Sequence, residues 1–274
     1  MINYLINSFK RKLARRITKK YPTEIDQFHI EGFGAVSMLN WKNPLVEPKT
    51  VTSETVNFFK QFLEEGDLAI DIGANIGHMT IPISLVTGKN GLTLAFDPNP
   101  FVFEILQDNS TLNPDITYIQ AFNYAVTTEE EEFFYISSEA SFNNGGISKV
   151  KDDKHGKYYL DKKVKGVVLE EFISQHFPNF ISKIKLVKID TEGYDKEIIK
   201  SITGLLTTYK PVVITECFGK NNQAERNEHF HLLKSMGYSL FYFSDFDINA
   251  QVIPIEKQED MMNWKHFDLY AIAN

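Results

Sequence analysis

Short apolar runs alternate with helical periodicities along most of the chain. Leu68 to Ile72, Leu92 to Phe96, 116–120, 185–190 and 211–216 predict buried strands. Between and after them, apolar residues recur at intervals of three or four, which predicts helices over 77–87, 100–112, 169–177, 194–206 and 222–236. Strand–helix alternation with apolar strands predicts a parallel sheet covered by helices on both faces. Tyr238 to Phe243 and Phe267 to Ala273 close the chain as strands. The rhythm breaks in the middle, where 123–126 reads as a turn, Phe133 to Ile136 as a strand, and 137–166 as a polar insertion rich in lysine. A polar insertion of that length is either functional or without fixed structure. Upstream, 25–40 reads as a short strand or hairpin, and Thr52-Ser53-Glu54 opens a helix through Val56, Phe59, Phe62 and Leu63.

The first twenty residues differ from the rest. Ile2, Leu5, Ile6, Phe9, Leu13 and Ile17 fall at helical spacing, with Lys10, Arg11, Lys12, Arg15, Arg16, Lys19 and Lys20 mostly between them and no acid. Pro22 stops this helix. Two readings stand open: an amphipathic helix on an anionic membrane surface, or a helix whose stripe packs on its own body or on a second subunit, as in a homo-oligomer. The charges follow the apolar residues, unlike a secretory signal. The remaining chain sets 22 basic side chains against 36 acidic ones, an imbalance that argues against nucleic-acid binding. One cysteine, Cys217, excludes an intramolecular disulfide, and no apolar run approaches the roughly 20 residues that span a bilayer. The expectation is a cytoplasmic protein, peripheral at the inner membrane face if the first helix is interfacial. The chain divides into the basic helix 1–20, an extension 21–66, and a main domain 67–274 carrying the insertion 137–166.

The chemistry concentrates at two strand ends. Ala69-Ile70-Asp71-Ile72-Gly73-Ala74-Asn75-Ile76-Gly77 is a strand, a glycine loop and the start of a helix, the geometry that lets a ligand approach backbone and helix-terminal N–H groups. Asp97 ends the next strand, twenty positions after Gly77, where a carboxylate can grip ribose hydroxyls. The loop lacks the third glycine that a dinucleotide pyrophosphate requires. Leu186-Val187-Lys188-Ile189-Asp190-Thr191-Glu192-Gly193 places Asp190 and Glu192 at another strand end, and Glu216 ends the strand 211–216. In a doubly wound order Asp190 faces the Gly73 loop. Carboxylates gathered on one rim repel, so one of them is expected to have a raised pKa and to act as a base; the alternative is that Glu192 or Glu216 caps a helix. His78, at the mouth of the loop, is a further candidate base or a packing histidine. His229 and His231 are two apart and make a poor metal pair, and no obligatory metal is expected.

The stretches Ile70 to Gly77, Phe122-Asn123-Tyr124-Ala125-Val126 and Val187-Lys188-Ile189-Asp190-Thr191-Glu192-Gly193, in this order, resemble the FkbM family of S-adenosylmethionine-dependent methyltransferases over about 50–245. The resemblance implies a class I methyltransferase (Rossmann-like) α/β fold. Its sheet would be doubly wound and seven-stranded, ordered 3-2-1-4-5-7-6 with an antiparallel seventh strand, here with an N-terminal helical and β extension. It implies O-methylation of a hydroxyl on a sugar, glycan or related natural product. Loop residues Asp71, Gly73, Ala74, Asn75 and Gly77 would then hold the methionine part, Asp97 the ribose, and Asn123 with Ala125 the adenine. Asp190 would sit near the methionine amine or the acceptor, and Glu192, Glu216 or His78 would take the hydroxyl proton. Asn143 and Asn144 occupy the segment expected to meet the acceptor. Two other readings remain at this level: a nicotinamide-dependent oxidoreductase, and a binding module that kept the fold without turnover.

Overall fold

The computed structural model describes residues 2–151, 156–191 and 193–274. Its centre is an eight-stranded sheet of β1 (Leu68–Ile72), β2 (Leu92–Phe96), β3 (Ile119–Phe122), β4 (Ile184–Ile189), β5 (Val212–Cys217), β6 (Tyr238–Phe243), β7 (Val252–Ile255) and β8 (Phe267–Ala273). The spatial order is β3-β2-β1-β4-β5-β8-β6-β7. The first five positions are mutually parallel, and β8 enters antiparallel between β5 and β6. Eight strands replace the seven expected. The added one, β7, pairs antiparallel with the outer side of β6 and contains Pro254. A proline missing its N–H is tolerated at a sheet edge, and it is what hides such a strand from pattern reading.

β1 and β2 are buried at every position because helices cover both faces. Two large core clusters lie along the sheet, with Ile70, Phe96, Val187 and Leu269 in one and Ala69 and Leu186 with the helical Ile81 and Phe58 in the other. Chain order reverses between β1 and β4, which makes the carboxyl ends of these strands the switch-point crevice of the fold.

Several local expectations shift. The helix after β1 spans Thr80–Thr87, so His78 lies in the turn before it and not in its first turn. Positive φ at Asn75 and Gly77 delays the helix. The expected 194–206 helix is two, Asp195–Ser201 and Thr203–Tyr209. The 123–126 turn is a strand, Tyr124–Val126, and the described part of the polar insertion is folded. Its strands Gly146–Ser148, Tyr158–Tyr159 and Val164–Val167 join Tyr124–Val126 and Glu132–Ser137 in a second, five-stranded sheet. Residues 25–40 form an antiparallel hairpin, Thr23–Ile30 with Gly34–Trp41. The first helix runs from Ile2 to Ala14. No helix among the described residues is long and apolar enough to cross a membrane.

Candidate active site

β1 runs into a loop that only glycine-rich sequence can make. Gly73 has φ +77°, and a Cβ built there would lie 1.8 Å from the carbonyl oxygen of Asp190. Asp190 N–H donates to Ile72 O at 2.9 Å, so the loop and the end of β4 are in direct backbone contact, as the doubly wound reading requires. Gly73 N–H and Ala74 N–H both donate to Phe96 O, which ties the loop to β2 as well. Asn75 N–H donates to Asp97 Oδ2 at 2.8 Å, Ile76 N–H to Asn75 Oδ1, and Gly77 N–H to Ala74 O. All five loop amides from 73 to 77 are therefore spent inside the protein. The loop presents a close-approach backbone surface and not the cradle of free N–H donors that its sequence suggests. Ala74 is buried in the core and takes part through its backbone.

Asp97 is buried at the end of β2. Its second oxygen accepts Asn99 N–H at 2.8 Å. Desolvation pushes its carboxyl up to about 7, against the lowering effect of the two backbone N–H bonds. Asn123 Nδ2 donates to Asp97 O at 2.9 Å, so Asn123 stands beside Asp97. Ala125 is buried in Tyr124–Val126 and paired with Gly166, in the second sheet. Asn99 Nδ2 donates to Phe142 O at 2.6 Å, which brings the insertion against this corner. Asn143, next to Phe142, accepts from Ser141 Oγ and is half-buried, whereas Asn144 is exposed.

Two features at β4 and β5 escaped sequence reading. Lys188 is buried within β4, with Nζ 3.1 Å from Asp71 Oδ1 and 3.5 Å from Asp190 Oδ2. Thr80 Oγ1 donates to the other Asp71 oxygen at 2.7 Å, so Asp71 is wholly enclosed. Burial works against the Lys188 ammonium, but the charges of Asp71 and Asp190 outweigh it and hold its pKa above the ordinary lysine value. The available signal was a lysine set between apolar Leu186-Val187 and Ile189 near the strand's end, whereas Lys185 in the same strand is exposed. Asp195 is the second feature. One of its oxygens accepts Thr191 N–H and Oγ1–H, and the other accepts Thr215 Oγ1–H and Glu216 N–H. It thus stitches the end of β4 to β5; burial pushes its carboxyl up to about 6.

Glu216 is buried on β5, with Oε1 2.8 Å from His266 Nε2. His266 Nδ1 accepts Gly219 N–H, so its neutral tautomer carries the proton on Nε2 toward Glu216. Asp268 pairs with Glu216 across β5 and β8, and desolvation followed by the Asp190 charge pushes it up to about 7. Neither His266 nor Asp268 carried a sequence signal, because β8 reaches this rim only through sheet order. His78 has its Nδ1 buried without a hydrogen-bond partner among the described residues. Desolvation, then Lys49 and Lys188, pull its pKa down to about 3, which keeps the ring neutral and less basic than Asp97 and Asp268. Glu192 lies outside the described residues. A shallow concavity of about 690 Å³ lined by Phe33, Leu63, Leu85 and Ile116 sits at the opposite, amino-terminal edge of the strands and takes no part in this arrangement.

Residues 71–240 match the Methyltransferase FkbM domain. A curated relative, the hexuronic acid methyltransferase AglP of Haloferax volcanii, is 23% identical over 161 residues, which cover 59% of this chain and 60% of AglP. Among solved structures, the methyltransferase FkbM of Methylobacillus flagellatus aligns at 12% identity and a TM-score of 0.46, covering 79% of this chain and 50% of that one. A SAM-dependent O-methyltransferase of Thermotoga maritima aligns at 14% identity and a TM-score of 0.43, covering 92% and 78%. The domain match takes in the Gly73 loop, Asp97, the insertion and the Asp190 strand end, and with it the chain belongs to the FkbM family of S-adenosylmethionine-dependent methyltransferases.

Proposed function

We propose that the chain is an O-methyltransferase that moves the methyl group of S-adenosylmethionine to a hydroxyl of a sugar within a glycan. The observation that carries this reading is the rim itself: Asp71, Asp190 and Asp268 neighbour the buried Lys188, Asp97 and Glu216 stand at the flanking strand ends, and the adjoining loop has its amides bonded within the protein. A loop whose amides are spent is unsuited to a pyrophosphate, which counts against a nicotinamide dinucleotide. It suits a cofactor that has no phosphate and whose sulfonium and ammonium are attracted to carboxylates. The likeness to AglP, a hexuronic acid methyltransferase, supports a sugar acceptor.

Bound S-adenosylmethionine supplies a methyl group already activated by the sulfonium. The chain's residues then position the two oxygens that matter. Asp97 would hold ribose hydroxyls, and Asn123 would keep Asp97 in place through its carbonyl. The Lys188 ammonium orients Asp190 from behind, leaving that half-exposed carboxylate to face cofactor amine or acceptor. Methyl transfer is an in-line displacement, so alignment of oxygen, carbon and sulfur is the main demand. A carboxyl near neutrality is the strongest base that remains partly ionised at neutral pH. Asp268 meets that condition, with Glu216 and its His266 partner beside it.

Calorimetric titration with S-adenosylhomocysteine and with NADH tests the cofactor side; binding of the first alone is expected. Transfer of labelled methyl to uronate-containing oligosaccharides tests the acceptor side. An alkali-stable methyl ether on the sugar is expected. An alkali-labile ester would move the reaction to a sugar carboxylate and refute the hydroxyl assignment.

A further inference from the structure

The first helix, Ile2–Ala14, presents Ile6, Phe9 and Leu13 of its apolar stripe outward. Ile6 is 46% exposed, Phe9 61% and Leu13 39%, and Ile17 in the following turn is 53% exposed. At about 100° per residue, Ile6, Phe9 and Leu13 share one arc, with Lys10 and Lys12 on its two borders. The body touches a different side: Ala14 is fully buried, Ala140 N–H donates to Arg15 O at 3.2 Å, and Arg15 Nε lies 3.1 Å from Glu139 Oε1. Packing on its own body, one of the two readings of the sequence, therefore leaves this stripe uncovered.

We infer that this face docks on an anionic membrane surface. Charge decides the occupant. Seven cations and no acid lie within residues 1–20, while the rest of the chain is strongly acidic. A second copy related by symmetry would set helix against helix and bring like charges together, whereas anionic headgroups complement Lys10, Lys12 and Arg16 as the apolar residues sink into the acyl boundary. The acidic body is repelled by the same surface, which orients the molecule with the helix down.

The docked face is linked to the candidate active site by short contacts. Arg15 binds Glu139 and Ala140 of the insertion, Phe142 O accepts Asn99 Nδ2, and Asn99 N–H donates to Asp97. Membrane docking thus sets the insertion side of the cofactor corner toward the bilayer. The inference concerns the surface alone and stands whatever the acceptor is.

The test is co-sedimentation of the full chain with phosphatidylcholine vesicles that contain or lack one-third phosphatidylglycerol. Binding is expected only with phosphatidylglycerol and should fall at least tenfold in F9D/L13D, in K10E/K12E, and at high salt. S-adenosylhomocysteine binding, unchanged in both variants, reports that they fold. Equal binding to neutral vesicles, or none to either, overturns the inference. So does a wild-type dimer in light scattering that becomes monomeric in F9D/L13D, since a second copy would then cover the stripe.

Discussion

Replacing Gly73 by Ala tests whether backbone contact between the loop and β4 builds the site. Two costs are separable. Gly73 sits at φ +77°, where an L side chain costs roughly 1–2 kcal/mol. The new Cβ would also lie 1.8 Å from Asp190 O and 2.8 Å from Asp190 C, both backbone atoms. Ordinary contact demands more than an ångström of separation of the two strand ends. That shift stretches the Asp190 N–H bond to Ile72 O, worth about 1 kcal/mol. The sum is about 2–3 kcal/mol, and at about 2–4 °C per kcal/mol for a chain of this size the melting midpoint drops by about 4–12 °C. Gly32 is the internal control: its φ is +82°, but no atom lies within 4 Å of a Cβ there, so Gly32→Ala should show only the conformational cost. Turnover separates the pair further, because an ångström of misplacement at Asp190 costs about 10²-fold in rate while Gly32 is remote from the rim. The assay is a thermal scan of both variants together with methyl transfer at saturating cofactor. Equal midpoints and equal turnover for the two variants would refute the claim that this contact positions Asp190.

Two further outcomes follow from the buried charges. Lys188→Met removes the counter-charge from the enclosed Asp71 and should cost about 3–5 kcal/mol in denaturant unfolding, with partial recovery in Lys188→Met/Asp71→Asn; a wild-type midpoint for the single variant would show that the pair carries no stability. Asp97 and Asp268, raised to about 7 when folded, favour folding below the ordinary carboxylate range and lose that contribution as pH rises through about 7. The unliganded protein should therefore lose thermal stability between about pH 4 and 7, with a shallower decline in Asp97→Asn; an unchanged decline in that variant would remove Asp97 from the titrating groups.

Much of the candidate site was legible because its signals are local. β1 and β2 are apolar at nearly every position, and a run of that kind is what a strand buried on both faces requires. Gly73, Gly77 and Asp97 lie within a few residues of those strand ends, so their placement needs only the strand–loop–helix unit. Asp190 was reached by one further step, the assumption that β4 lies beside β1. The acceptor side was less legible. The insertion reads as polar loop, yet three short strands of it pair with Tyr124–Val126 and Glu132–Ser137, partners that its own composition cannot announce.

The sequence by itself determined the α/β alternation, the glycine loop, the carboxylates at successive strand ends and the charge contrast of the first twenty residues. Each depends on residues within about one element of one another. Only the tertiary structure decided that Lys188 neutralises Asp71, that Asp195 joins β4 to β5, that β8 carries His266 and Asp268 to the same rim, and that the apolar stripe of the first helix faces outward. These depend on which strands are neighbours and which helix face meets the body. Hydrogen-bond pairing and burial select those neighbours across tens of residues, where no periodicity in the chain records the choice.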